Sequence, residues 1–448
     1  MATQFSIKDN LPWKTRFFTI FSGQAFSLLG SMLVQFALIW YLTVRTGSAT
    51  VLATASLIGM LPGVILGPFI GPLVDRWNRR WTLVLADSVV AIATLVLALM
   101  FAFTDVQIWQ IYLILFIRAV AGGFHGNTMA ASTSLMVPLE HLGRVQGINQ
   151  MLNGGLNVVS APLGAILYEV LELQWILAID FITALVAILP LFFFEIPQPD
   201  RSQSDALAGQ ASSYFQDLTA GFRYVWAWKG MLILLLMAAM MNFLLAPTSA
   251  LSSLLIKDYF GGGAIQLGSY NSAFGLGVIL GGLLLGVWGG FKRQIKTSMM
   301  GIFILGFGIL TVGLLPETLL IVAVISAGVF GFSLPIANGS LGAIMQKNIA
   351  PDMQGRVFSL VGSLSGAMAP IGLAIAGPVA DQISIQAWYM AAGIVTVTMA
   401  LVGRLVPAVW NIETNNPNKV IEEQEDQPRL EGPPPRHEPV LEYSDKEK

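Results

Sequence analysis

Three charged side chains stand deep inside long apolar stretches of this chain: Asp87, Arg118 and Asp180. Arg118 lies about nine residues into its stretch, which at about 1.5 Å per residue puts it near the centre of a bilayer. A charge at that depth costs at least a few kcal/mol unless a polar interior or a counter-ion receives it. Asp87 lies about six residues into one neighbouring stretch and Asp180 about seven into another, so either is within reach of the long Arg side chain. We expect Asp87 to be the partner. A carboxylate in such a place is pulled two ways: burial favours the protonated form and a nearby cation the charged form. Proton coupling is therefore assigned to Arg118, Asp87 and Asp180. The first apolar stretch holds no acid; Gln24 and Gln35 stand there instead.

The elements that must hold these groups are legible in the composition. The chain has 448 residues, of which 55% are hydrophobic and 11% charged, against about 25% charged in a soluble domain. Twelve apolar runs follow one another, at about 17–43, 49–73, 81–103, 107–136, 144–168, 173–194, 230–258, 266–290, 294–314, 317–346, 354–380 and 385–410. Each is long enough to cross a bilayer as a helix. None alternates as a barrel strand would. With the N-terminus inside, 21 of the 24 Lys and Arg residues fall on inner segments. Positive charge near span ends resists translocation, so we expect a multi-pass protein of the cell (inner or plasma) membrane with both termini cytoplasmic. Residues 1–16 are polar and lead into a run with no exit site for a signal peptidase, so the first helix is expected to target the chain. There is no Cys, which excludes disulfides and thiolate-bound metal. The three His (His125, His141, His437) are too scattered to suggest a metal site. We expect neither a metal nor a cofactor. A net charge of −2 gives no reason to expect nucleic acid as a partner. No nucleophile–base pair or phosphate loop points to an enzyme. Gly261–Gly263 reads as a turn, not a nucleotide cradle.

Four regions follow: 1–194, a six-helix bundle; 195–229, a cytoplasmic linker; 230–410, a second six-helix bundle; and 411–448, a solvated tail rich in Glu, Pro and Lys, expected to be disordered. Within the linker, residues 213–228 read as an amphipathic interfacial helix. The halves repeat. Gly143-Arg144-Val145 after the fourth run matches Gly355-Arg356-Val357 after the tenth. Ala161-Pro162-Leu163-Gly164 matches Ala369-Pro370-Ile371-Gly372, with Asn127 and Asn338 at corresponding places before them. Two parallel repeats around a central site are the build of a rocking transporter.

The sharpest motif is Gly71-Pro72-Leu73-Val74-Asp75-Arg76-Trp77-Asn78-Arg79-Arg80, between the second and third runs. It resembles the loop signature of the major facilitator superfamily, with Asn78 in place of the usual Gly; Asn tolerates a left-handed turn. The resemblance implies an all-α membrane protein with twelve transmembrane helices in two pseudo-symmetric six-helix bundles. It also implies a gate and conformational switch at Gly71, Asp75, Arg76, Arg79 and Arg80, in which Gly71 lets two helices touch and Asp75 caps a helix start or pairs with Arg. Arg118 with Gly122 and Gly123 resembles the fourth-helix Arg motif of drug/proton antiporters, without its Gln. Further stretches (Gly23–Leu28, Tyr41–Thr43, Phe116–Ala119, Ala178–Asp180, Tyr259–Gly262, Gly281–Gly286 and Gly355–Leu360) resemble the macrolide-efflux branch, over about residues 13–405.

That branch implies secondary efflux of amphiphilic drugs by proton antiport with alternating access. Its cavity is lined by the first, fourth, seventh and tenth helices, giving Gln24, Gln35, Phe36, Phe124, Asn127, Asn242, Phe243 and Asn338 as candidate substrate contacts. Gly154, Pro162 and Gly164 of the fifth helix are expected to pack against the eighth. Expected partners are a small amphiphilic substrate, a proton and the lipid bilayer. An ATPase or outer accessory subunit is a further candidate that no residue specifies. Two alternatives remain open: an exporter or flippase of an endogenous metabolite such as a siderophore or lysolipid, and a non-transporting membrane receptor.

Overall fold

A computed structural model describes residues 12–198 and 214–414 of the chain. The stretch 199–213 of the linker and the tail from 415 onward lie outside the described residues. The first half forms α1 (Trp13–Thr46), α2 (Ala49–Arg76), α3 (Arg79–Phe103), α4 (Ile108–Met136), α5 (Leu139–Val170) and α6 (Leu173–Phe193). The linker helix is α7 (Tyr214–Ala227). The second half forms α8 (Lys229–Ala250), α9 (Ala264–Trp288), α10 (Gln294–Leu314), α11 (Leu320–Asn348), α12 (Pro351–Gln382) and α13 (Ile385–Leu405), closed by the short α14 (Pro407–Trp410). Twelve of these are long and apolar enough to span a membrane. A bilayer offers backbone groups no water, so helices that satisfy their own N–H and C=O groups are what such runs must form.

Local chemistry sets the ends. Gly47 stops α1 in the left-handed region (φ 58°), its N–H donating to the Thr43 carbonyl at 3.1 Å. Ser48 then caps α2, its hydroxyl accepting from the Val51 N–H at 3.4 Å. Gly289 ends α9 at φ 73°. Gly261 turns the chain at φ 64°. Asn78 differs from the expectation. Its φ is −71°, and its side chain accepts from the Trp81 N–H at 3.2 Å. It is the N-cap of α3, a role that Asn fills better than Gly. Gly71 to Arg76 are not loop: they form the last turns of α2, and only Trp77 and Asn78 connect it to α3.

The two halves use one packing scheme. In the first, α3 packs on α6 and α4, α2 on α4, and α1 on α5 and α6; in the second, α10 packs on α13 and α11, α9 on α11, and α8 on α12 and α13. Small residues make the closest of these contacts. A Cβ added at Gly281 of α9 would fall 1.9 Å from the Phe332 carbonyl oxygen of α11. Between the halves, α5 packs on α9 and α2 on α12, pairs that the pseudo-symmetry exchanges.

Candidate functional site

The halves meet mainly toward the end of the molecule away from the chain termini. There the Asp381 carboxylate of α12 accepts from the backbone N–H groups of Ala49 (2.6 Å) and Thr50 (2.9 Å) and from the Ser48 hydroxyl (2.9 Å). An acid of one half thus caps the first turn of α2 in the other, where free N–H groups and the helix dipole favour a negative charge. The Thr43 hydroxyl donates to Ser253 at 2.9 Å, and Lys257 donates to the Thr43 carbonyl at 3.3 Å. Gly268 and Gly377 bring α9 onto α5 and α12 onto α2; an added Cβ would lie 3.1 Å from Pro162 Cα and 2.9 Å from Thr50 Cα. Toward the terminal end the same helices part. A Cβ added at Gly63, Gly67, Gly71, Gly355, Gly362 or Gly366 would meet nothing within 4 Å. The space between the halves is therefore closed at one end and open at the other.

A chain of cavities occupies this space. The largest, about 550 Å³, lies within the first half and is lined by Gln24, Gln35, Asp87, Arg118, His125 and Asn153 among others. It shares Met32 and Gln35 with a second of about 380 Å³, bounded by Phe36, Asn157 and Asn271. That one shares Asn271 and Phe274 with a third of about 230 Å³, which includes Asn242. The walls mix apolar and amide side chains, as suits an amphiphilic ligand.

The buried ionisable groups form two separate clusters. In one, Arg118 Nη1 donates to Asp180 Oδ2 at 2.5 Å and also touches the Thr94 hydroxyl. Thr94 donates to Oδ2 and Ser31 to Oδ1 of the same carboxylate, each at 3.0 Å. Four helices (α1, α3, α4 and α6) converge there. Gly30 makes room: a Cβ on it would lie 3.1 Å from Asp180 Oδ1. Asp180 is fully buried. The partner of Arg118 is thus Asp180, not Asp87 as expected. Depth along a helix is readable from spacing, but which way each helix faces is not.

Asp87 belongs to the second cluster. Gln24 Nε2 donates to its Oδ2 at 2.9 Å, and His125 Nε2 stands 3.5 Å from its Oδ1. His125 Nε2 also lies 2.7 Å from Gln24 Oε1. As one of three scattered histidines, His125 gives no metal signal in the sequence and does not stand out. It lies seven residues, two turns, beyond Arg118 on the same face of α4, and that spacing could have found it.

The other expected contacts divide. Gln24, Gln35, Phe36 and Asn242 line the cavities. Phe124 does not: its ring stacks on Trp77 at 5.7 Å in an apolar groove between α3 and α4. Phe243 also turns away, its ring 6.0 Å from Trp388 of α13 and its carbonyl against Gly372 of α12. Asn127 and Asn338 are exposed, and neither lines these cavities. Asn127 donates to its own helix at the Gly123 carbonyl, 2.9 Å away. In α5, Pro162 meets α9 and Gly154 faces Ile279 there, whereas Gly164 packs on Phe36 of α1.

Of the gate motif, Gly71 makes no close helix contact at this open end. Arg76 is exposed. Arg79 donates to the Ala131 carbonyl at 2.8 Å, and Arg80 caps the end of α6, through its Nε to the Leu191 carbonyl and its Nη2 to that of Phe192 at 2.7 Å. The Asp75 side chain lies outside the described residues. The second half repeats this anchoring: Arg293 donates to the Trp410 carbonyl and to Asn411 at the end of α14.

Two bundles that repeat one packing scheme around a single-ended cavity of mixed polarity are the build of a membrane transporter. The sequence matches the family model of the Major Facilitator Superfamily over residues 20–372, and again over 233–442. It is 35% identical over 402 residues to macrolide efflux protein A of Streptococcus pyogenes, covering 90% of this chain and 98% of that protein. It is 25% identical over 393 residues to the multidrug efflux pump Tap of Mycolicibacterium fortuitum, covering 84% and 91%. The crystal structure of the nucleoside transporter NupG superposes with a TM-score of 0.64 at 16% identity, over 88% of this chain and 98% of that one. The chain belongs to the Major Facilitator Superfamily, in the branch of the macrolide efflux proteins. Its class is that of a multi-pass membrane transporter, not an enzyme.

Proposed function

We propose that this protein exports amphiphilic drugs, macrolides among them, from the cytoplasm by alternating access driven by proton antiport. The observation that carries the reading is the cavity chain between the halves, mixed in polarity and open at one end only. Kinship over nearly the whole length of both chains with a protein named for macrolide efflux selects the cargo. The charge bias of the loops makes the open, terminal end cytoplasmic and both termini internal. The structure then corresponds to an inward-open state. Residues 1–194 and 230–410 are the two moving bodies, joined by the linker 195–229. Gln24, Gln35, Phe36 and Asn242 contact cargo. Gly71, Asp75, Arg76, Arg79 and Arg80 form the inner gate, which assembles when that end closes.

The test is expression in a drug-sensitive strain lacking its own efflux pumps. The expected result is lowered macrolide accumulation and raised resistance, both abolished by a protonophore. Unchanged susceptibility across drug classes rejects the drug reading. Efflux that survives collapse of the proton gradient rejects the antiport.

A further inference from the structure

Two acids stand near the cavity, Asp87 on its wall and Asp180 behind it, and they differ in how free they are to exchange a proton. Asp180 accepts from Arg118, Thr94 and Ser31, is fully buried, and lies behind Arg118 rather than on the cavity wall. A carboxylate neutralised by a guanidinium and held by two hydroxyls has every reason to stay as it is. Asp87 lines the cavity, but its oxygens face Gln24 and the imidazole, and its side chain is only 7% exposed. His125 is the open member of the group, 26% exposed to the same cavity.

The geometry around His125 assigns its nitrogens. Gln24 uses its Nε2 as donor to Asp87, so it presents Oε1 to the imidazole. A carbonyl oxygen can only accept, so His125 Nε2 carries a hydrogen in both the neutral and the charged ring. The nitrogen left to take up or release a proton is Nδ1. Asp87 Oδ1 also stands 3.5 Å from Nε2, so both polar neighbours of the ring face that nitrogen. The remaining groups on the cavity wall do not compete. Gln24, Ser31 and Gln35 of α1, Gly59 of α2, and Asn149 and Asn153 of α5 carry no charge, and Arg118 of α4 is matched by Asp180 of α6.

We propose that His125 is the residue that carries the exchanged proton, with Asp87 and Gln24 as its positioning residues and Arg118–Asp180 as a fixed pair; this rests on the antiport reading above. With the cavity open inward, Nδ1 gives its proton to cytoplasmic water as cargo enters. With the cavity open outward, it takes one up as cargo leaves. One proton is released and one bound per cycle, and no other bond changes.

The experiment uses the purified full chain in proteoliposomes with radiolabelled erythromycin as cargo. Two variants, H125Q and H125N, are compared with wild type in three readouts: erythromycin binding, uptake driven by an imposed pH gradient, and proton release on cargo binding measured with a pH dye. The expected result is binding within a few-fold of wild type in both variants, with loss of gradient-driven uptake and of proton release. If both variants keep gradient-driven uptake, His125 is not the carrier, and the antiport reading stands without it. If wild type itself shows no response to the gradient, the antiport reading and this inference fall together. If both variants lose binding as well, His125 shapes the cavity, and its assignment as carrier is overturned.

Discussion

The contact that holds the outer end closed gives a prediction with a magnitude. Asp381 accepts three hydrogen bonds from the first turn of α2, two of them from backbone N–H groups that no helical carbonyl can satisfy. Asp381→Asn keeps one acceptor oxygen and turns an NH2 toward an N–H that needs an acceptor. Losing such a cap costs about 1 kcal/mol. Losing the charge at the helix N-terminus adds about 0.3–1 kcal/mol, toward the lower end because Asp381 is exposed. The contact spans the two halves, so it exists only while the outer end is closed. A loss of about 1–2 kcal/mol shifts the ratio of outward-open to inward-open molecules about 5- to 30-fold.

The chain has no Cys, so one introduced thiol reports alone. Ser253→Cys places it at a position 1% exposed in the closed outer end. Labelling by a membrane-impermeant maleimide from outside should run about 5- to 30-fold faster in the Ser253→Cys, Asp381→Asn double variant than in Ser253→Cys alone, the range set by the population shift. Thr104→Cys, on the exposed outer loop after α3, should label at one rate with either residue at 381. An unchanged Ser253→Cys rate would refute the argument, because Asp381 would then be a surface cap with no share in closure.

Other expectations follow from the same geometry. Asp180→Asn leaves the Arg118 guanidinium buried and unpaired, a loss of about 3–5 kcal/mol that should show as poor recovery of monodisperse protein in size-exclusion chromatography. Arg118→Ala should abolish transport, whereas Arg118→Gln with Asp180→Asn should regain both yield and pH-driven uptake; uptake still absent in a well-folded double variant would return the proton to this pair. Gly281→Ala forces Cβ into the Phe332 carbonyl and should lower thermal stability by about 1–3 kcal/mol, while Gly282→Ala, with nothing within 4 Å, should leave the melting temperature unchanged. Phe36→Ala should alter macrolide susceptibility and Phe124→Ala should not, in a resistance assay at matched expression. Gly63→Leu fills open space at the inner end, so it should fold normally, block inner closure and halt both transport and outer labelling of Ser253→Cys.

The twelve helices were legible because a bilayer selects for uninterrupted apolar length, a property that each run carries by itself. The repeat was legible because Gly-Arg-Val and Ala-Pro-x-Gly recur in register. What spacing could not supply is azimuth. Asp87 and Asp180 were both possible partners of Arg118 until the order of α1, α3 and α6 around α4 was known. Phe124 and Phe243 lie on helices that line the cavity, yet each faces a neighbouring helix instead. The role of Asp381 was invisible for another reason. In sequence it is an acid at the end of a run, and its meaning comes from the first turn of α2, 332 residues away. At Asn78 the motif shows only a Gly replaced, whereas the side chain is itself the cap of α3.

The placement of charge constrains how any signal crosses the molecule. Among the described residues that line these three cavities, the charged side chains belong to the first half; the second contributes neutral groups, Asn242, Asn271, Ser249, Ser252 and Ser253 among them. On the antiport reading, a proton taken up at the Asp87–His125 cluster meets no charged side chain of the second half among these lining residues, and its effect reaches that half through packing. The route is short. His125 lies on α4, α4 packs on α2, and α2 packs on α12, whose Asp381 caps α2 at the closed end. Arg118 and Asp180 tie α4 to α6 behind the cavity, with Thr94 and Ser31 adding α3 and α1. On the alternating-access reading, these ties make the first half move as a body, and a small shift of α4 is passed to α2 rather than absorbed. The buried pair supplies rigidity and the exposed acid supplies a breakable contact, which is why neutralising the first should cost folding and neutralising the second should change only which end is open.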